Sequence, residues 1–345
     1  MAYTNIKKPS DYFNTKLWSG NGSSQALTGV GHQTDMVWIK SRTDTRKHNL
    51  YDVVRGVQKR IVPNDTVAED TATGVTAFGT DGFTVGSETD TNGSSRNFVG
   101  WSWNANGAGV ANTDGTISST VSANTTSGFS IVKYSGNSTS NQTIGHGLGS
   151  TPKMIIIKRL TNTNSWITYH SSLGATKMIF IDQTSTPSTS AAPFNNTSPT
   201  NSVFTVDGNG GYSPVNLSGE DYIAYCFAEK TGYSKFGSYT GNASADGAFI
   251  YTGFKPAFVI IKNTDAAESW QMFDGKRPDS NQTNGLYSFN PNTTSAEYQG
   301  AALIDFVSNG FKLRSSTNSL NVAQNYIYMA FAEEPLVGDN PATAR

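Results

Sequence analysis

One cysteine in 345 residues, Cys226, leaves no partner for an internal disulfide. It sits in an aromatic run and reads as a small buried hydrophobe. Charge is scarce too. Twenty-five Lys and Arg balance 26 Asp and Glu, for a net charge of −1. No basic tract is dense enough to track phosphates, which argues against nucleic acid as a partner. No apolar run nears the roughly 18 residues of a membrane span, so membrane insertion is not expected. The opening M-A-Y-T-N-I-K-K lacks the apolar segment of a signal peptide, and synthesis in the cytoplasm without classical export is expected. Sustained helical periodicity is missing as well, with room for single turns only near Asp52–Arg60 and Asn64–Asp70. G-x-S-x-G, H-E-x-x-H and EF-hand patterns do not occur. The acidic neighbours Glu69–Asp70 and Glu333–Glu334 are not a pair set across a cleft as glycoside hydrolysis needs. No enzymatic activity, cofactor or metal is therefore expected.

What the chain does have is a threefold internal repeat. W-S-G-N at Trp18, Y-S-G-N at Tyr134 and Y-T-G-N at Tyr239 each precede an Ile-Lys pair ending at Lys40, Lys158 and Lys262. Twelve positions beyond each lysine stand Asp52, His170 and Asp274. The copies close on similar strands, Phe98–Trp103, Tyr222–Phe227 and Tyr326–Phe331. Units of roughly a hundred residues are too long for propeller blades or helical solenoids and match the common domain size. A modular array of this kind suggests a molecule built to reach and to bind.

Short runs of Val, Ile, Phe, Tyr and Trp between turns rich in Gly, Ser, Thr and Asn indicate β structure. The four-residue apolar runs Met36–Ile39, Met154–Ile157 and Phe258–Ile261 predict strands buried on both faces. Asp81-Gly82 and Asn309-Gly310 predict hairpins, on the ground that both residues tolerate positive φ. From each of these glycines to the closing aromatic, Trp103 or Phe331, is 21 residues. The fold class is all-β, with three tandem antiparallel β-sandwich modules. The expected organisation is an N-terminal arm (1–10), module 1 (11–107), a linker or extended edge (108–127), module 2 (128–230), module 3 (231–335) and a tail (336–345).

The most suggestive polar set is Lys40, Asp52 and Arg55, repeated as Lys262, Asp274 and Arg277. A carboxylate between two cations is either a ligand site or an ion pair pinning a strand to the next hairpin. Module 2 has Lys158, His170 and Leu173, losing the Asp and the Arg, which favours the structural reading. Trp166 and Trp270 share one repeat position with His48 and read as core. His32 and His146 read as turn residues, since no Cys/His cluster accompanies them. Better candidates for surface contact are loop aromatics outside the repeat: Phe194, Tyr212, Tyr287 and Tyr298. If the protein binds, contact is expected where the copies disagree: Thr184–Asn201, Gly208–Pro214 and Asp279–Gln299.

The opening Met1–Ser23, Val121–Asn137, Gly145–Lys158, Ser234–Asn242 and the ending Tyr326–Pro335 resemble a group of bacteriophage virion proteins common in marine phages, often labelled tail-fibre-like or lectin-like. The resemblance covers almost the whole chain. It implies a virion surface protein made in the host cytoplasm, with jelly-roll or concanavalin-like modules and other virion proteins as partners. It carries over no binding residues. The first reading is a tail fibre or appendage touching the host surface, with a glycan as ligand, the N-terminal arm as attachment end and a homotrimer as assembly. The second is a capsid-decorating or head-fibre protein, and the third a polysaccharide depolymerase.

Overall fold

The computed structural model describes residues 4–208, 214–277, 285–337 and 341, and it is all-β, built of antiparallel sheets. Each repeat contributes one large sheet with the same four-strand centre. In repeat 1 the order is Phe13–Ser19, Asn97–Trp103, Met36–Ser41, Asn49–Asp52. Repeat 2 places Phe129–Ser135, Asp221–Ala228, Pro152–Arg159 and Ile167–His170 in that order, with two further strands on each side. Repeat 3 repeats it with Ser234–Thr240, Asn325–Pro335, Phe254–Asn263 and Gln271–Asp274, and adds Ser288–Phe289. A small sheet accompanies each large one: Gln25–Thr28 with Gly82–Val85 and Val75–Gly79, Gln142–Gly145 with Val203–Val206, and Phe249–Tyr251 with Gly310–Leu313 and Ile304–Val307. Among the described residues the only α-helix is the single turn Thr89–Asn92, and no helix is long and apolar enough to cross a membrane.

The four-residue apolar runs are central strands buried on both faces, as their composition requires. Alternate side chains go to different cores, because successive residues of a strand point to opposite sides. Val37 and Ile39 face a cluster inside repeat 1, Ile155 and Ile157 one inside repeat 2, and Val259 and Ile261 one inside repeat 3. The residues between them, Met36, Trp38, Met154, Ile156, Phe258 and Ile260, all enter a single cluster shared by the three repeats. The closing strands divide the same way, sending Trp101, Trp103, Tyr225, Phe227, Met329 and Phe331 into the shared cluster. Phe331 is its hub, within 6.4 Å of Phe13, Trp103, Phe227, Tyr233, Phe236 and Phe258. The repeats therefore converge on a common core and do not extend as a string of beads.

Two segments expected at the margins belong to this body. Residues 108–127 contain strands Val110–Asn112 and Ser119–Asn124, which form the edge of the repeat 2 sheet rather than a free linker. Isolated apolar residues suffice there, since Val121 and Ile117 alone reach the repeat 2 core. The described part of the N-terminal arm is docked. Ile6 is in the shared core, and Thr4 packs so closely on Gly232 that a Cβ there would lie 2.9 Å away.

Both expected hairpins form, and of the two glycines Gly82 has the positive φ expected of both. Gly79 pairs with Gly82, and Val307 with Gly310, so the turns are Thr80-Asp81 and Ser308-Asn309. Each glycine is the first residue of the returning strand. A Cβ on Gly82 would lie 2.0 Å from the Leu27 carbonyl oxygen, and one on Gly310 would lie 2.0 Å from that of Ile250. The neighbouring strand presses on both Cα atoms, and Gly82 also has a φ of +143°, which favours glycine.

Two outcomes follow. Gly310→Ala should destabilise the chain by about 1–3 kcal/mol through forced backbone displacement, measured by urea unfolding. Phe331→Ala should cost about 3–5 kcal/mol and lower one cooperative transition for the whole chain, because all three repeats lose the same partner. A separate early transition confined to repeat 3, detected by calorimetry, would contradict the shared core.

Candidate functional site

The repeat signature is a buried ring of polar contacts that joins the three copies. Asp52 lies opposite Met36 in the strand pair, His170 opposite Met154, and Asp274 opposite Phe258, so all three sit at one end of equivalent hairpins. The lysines stand four residues further along, about 13 Å away at strand rise. The expected triad of one carboxylate between two cations is thus split in two.

The carboxylate half is an Asp–Arg couple. Asp52 Oδ1 accepts the backbone N–H groups of Val54 and Arg55, and Oδ2 accepts Arg55 Nε at 2.5 Å. Asp274 does the same with Lys276, Arg277 and Arg277 Nε at 2.6 Å. All four side chains are almost fully buried. Each guanidinium is further satisfied. Arg55 donates to Glu69 and to the Leu50 and Lys59 carbonyls, and Arg277 to Glu297 and to the Met272 and Tyr287 carbonyls. Arg277 also lies 4.4 Å from the Phe289 ring centroid.

Each carboxylate accepts one more bond from another repeat. Tyr225 of repeat 2 donates to Asp52 at 2.7 Å, and Trp101 of repeat 1 donates to Asp274 at 3.0 Å. Tyr225 and Trp101 occupy one position of the closing strand, and in repeat 3 that position is Met329, which has no donor. The residue that would have received it is His170. His170 Nδ1 accepts the Ser172 N–H, as Asp Oδ1 does in the other copies, while Nε2 lies 3.2 Å from the Tyr328 carbonyl of repeat 3 and donates to it. A neutral imidazole satisfies both contacts, so no buried cation is needed and Leu173 replaces the arginine. The absence of Asp and Arg in repeat 2 thus coincides with Met329 in repeat 3, which offers no donor to that position.

The lysine half holds backbone. Lys158 Nζ donates to the carbonyls of Asn164 and, across the repeat boundary, Thr66; Lys262 Nζ donates to those of Asn263 and Thr184. Lys40 binds the Ser41 carbonyl and lies 5.2 Å from the Phe289 ring. Burial lowers Lys40 to about 7 and Lys158 and Lys262 to about 8. The aromatic position works alike. Trp166 Nε1 donates to Val62 of repeat 1 and Trp270 Nε1 to Phe180 of repeat 2, while His48 packs edge-on against Phe289 of repeat 3. Both tryptophans are core, as expected.

A further element escaped the sequence reading. Asn92, Asn216 and Asn321, all fully buried, exchange hydrogen bonds with Asn21, Asn137 and Asn242 of the W/Y-S/T-G-N blocks. The first three are separated in sequence from their partners by about 70–80 residues, and their distances to the closing strand are not all equal, which hid the correspondence.

Of the surface candidates, Phe194 is a correction. It is 2% exposed and packs edge-on against Tyr169 in the repeat 2 core. An aromatic in a variable loop was free to turn inward, and repeat 2 had room for it. Tyr212 lies outside the described residues. Tyr287 is half-buried, its carbonyl held by Arg277, whereas Tyr298 is 51% exposed. His32 and His146 are buried, His32 between the Ser10 carbonyl and the Ser102 hydroxyl, and His146 accepting the Leu148 N–H. Among the described residues no group of three or more His, Cys, Asp or Glu is placed to hold a metal ion.

Removing one partner of the buried couple exposes its cost. Asp274→Ala should destabilise by about 3–5 kcal/mol, because buried Arg277 keeps only Glu297 as counter-ion, which it shares with Arg42, and Trp101 Nε1 loses its acceptor. The triple replacement Trp101→Met, Asp274→His, Arg277→Leu installs the set found between repeats 2 and 3 and should cost less than Asp274→Ala alone; urea unfolding of both checks the order. A pH dependence follows from His170. Burial holds its pKa near 4, below the ordinary 6.5, so the unfolded chain takes up a proton first as pH falls. Its contribution, about 3 kcal/mol, is present above pH 6.5 and lost between 6.5 and 4. Asp182, raised to about 6 by burial, acts oppositely over the lower part of that window. His170→Gln should reduce but not abolish the slope of melting temperature against pH between pH 6.5 and 4, because burial also lowers His48, His32 and His146; an unchanged slope would show that this imidazole does not contribute.

No curated protein and no solved structure matches the chain. A family model does, over residues 8–335, which takes in every sheet of all three repeats. The chain belongs to the family described as a domain of unknown function, DUF7483.

Proposed function

We propose that this protein is a structural component of a phage particle, a tail fibre or related appendage that meets the host surface through a glycan. Its repeats are read as three tandem antiparallel β-sandwiches, jelly-roll or concanavalin-like, each with a large and a small sheet around its own core. The observation that carries the reading is the fate of the repeat signature. Lys40, Asp52, Arg55, Lys158, His170, Lys262, Asp274, Arg277, Trp166 and Trp270 are turned inward and joined across repeats. Among the described residues, the segments in which the copies differ place Thr184, Asn196, Ser295, Tyr298 and Gln299 at the surface, a division suited to a rigid head carrying recognition loops. The role is non-catalytic, because the buried carboxylates Asp52, Asp274 and Glu297 are held by arginines. Other virion proteins are the partners, and in a fibre the assembly is a trimer.

A second reading, a capsid-decorating or head-fibre protein, is favoured by one feature. The chain closes on itself around a shared core and provides no axial rod of its own. Cryo-electron microscopy of the whole particle separates the two. A few copies at the tail tip are expected; hundreds spread over the head would overturn the fibre reading in favour of decoration. Incubation with host polysaccharide should release no fragments, and chain shortening on a gel would revive the depolymerase reading.

A further inference from the structure

The outward end of repeat 3 has a groove that the other repeats have filled. Its floor is one face of the strand pair Gln271–Asp274 and Ser288–Phe289. Met272 stands opposite Phe289 and Phe273 opposite Ser288, which sets Gln271 beside Asn290. Phe273 lies in the apolar core of repeat 3, and Gln271, two residues before it, is on the same face. The groove is therefore the mouth of the repeat 3 interior, at the point where its lining turns polar. It encloses about 410 Å³. Gln271, Ser288, Asn290, Thr317 and Ser319 line it, together with Tyr298.

Three observations mark it as a ligand site. Gln271 is only 9% exposed, yet its amide makes no hydrogen bond with any described residue. It presents a donor and an acceptor to the groove that it lines. The equivalent residues are sealed from solvent, although Asn49 Oδ1 also lacks a partner among the described residues. Asn49, opposite Ile39 as Gln271 is opposite Ile261, donates to the Lys47 carbonyl and to that of Asp90 in the helix Thr89–Asn92. Ile167, opposite Ile157, is apolar and fully buried. Third, Tyr298 is half exposed at the groove and backed by Gly300, where a Cβ would come within 2.7–2.9 Å of its ring. An aromatic face beside hydroxyl and amide groups suits a ligand with both C–H faces and hydroxyls. Glu297, the one carboxylate in the lining, is 1% exposed and neutralised by Arg42 and Arg277, so the lining offers no free charge.

We propose that this groove binds a neutral saccharide, with Tyr298 stacking on a sugar ring and Gln271 hydrogen-bonding its hydroxyls. The assignment rests on the adhesion reading and names its ligand class and place. Affinity electrophoresis of the full chain through gels containing dextran, laminarin or mannan, with alginate as the anionic control, tests it. Retardation by at least one neutral polymer and none by alginate is expected. Tyr298→Ala and Gln271→Ala should each weaken it roughly tenfold, while Tyr298→Phe keeps it. Thermal melting of each variant confirms that it is folded. Equal retardation of the full chain and Tyr298→Ala overturns the groove as the site, as does retardation by alginate alone. No retardation in any gel also overturns it. In that case adsorption to host cells decides the wider reading, which survives if the protein still adsorbs and falls if it does not.

Discussion

The structure depends on the two-sided burial of its central strands. A strand that buries both faces needs a layer on each side. In each repeat the small sheet supplies one layer, and the other two repeats supply the second. No repeat could cover the outer face of its own large sheet, on which Trp38 and Trp101, or Met329 and Phe331, would otherwise meet water. Stability is therefore shared by the whole ring, and the docked residues Ile6 and Tyr233 show that the N-terminal arm and the join between repeats 2 and 3 are drawn into the same core.

Inside that core the polar groups must be satisfied by one another. An aspartate at the hairpin end caps a turn with one oxygen and leaves the other to be matched. Arginine and a donor from the next repeat match it twice. At the third boundary the donor is absent, and histidine performs the cap without introducing a charge. The departure from symmetry is thus compensated within one contact, which is why a set that varies between repeats can still be structural. Gln271 stands apart as the residue at its repeat position that lines a groove, where Asn49 and Ile167 are fully buried.

Much of the fold was legible in the residues. The apolar runs, the hairpins near Gly82 and Gly310, and the structural role of Trp166 and Trp270 follow from period and spacing. The convergence of the three repeats on one core was not legible, because sequence period shows that a strand is buried on both faces but not by what. Phe194 and Tyr298 were indistinguishable as loop aromatics, since the direction of a loop side chain depends on whether a neighbouring core has space. The clasp of Asn92, Asn216 and Asn321 was hidden among many asparagines that look alike in composition.

The sequence by itself determined the β class, the threefold repeat and which strands are central, because these depend on local pattern and on the alternation of side chains along a strand. Only the tertiary structure decided that the repeats close into a ring, that lysine and aspartate act apart, and that one polar mouth stays open in repeat 3. Those outcomes depend on distances between residues far apart in the chain. Burial makes such distances energetically decisive, since a charge or an amide removed from water must find its partner wherever the fold brings one.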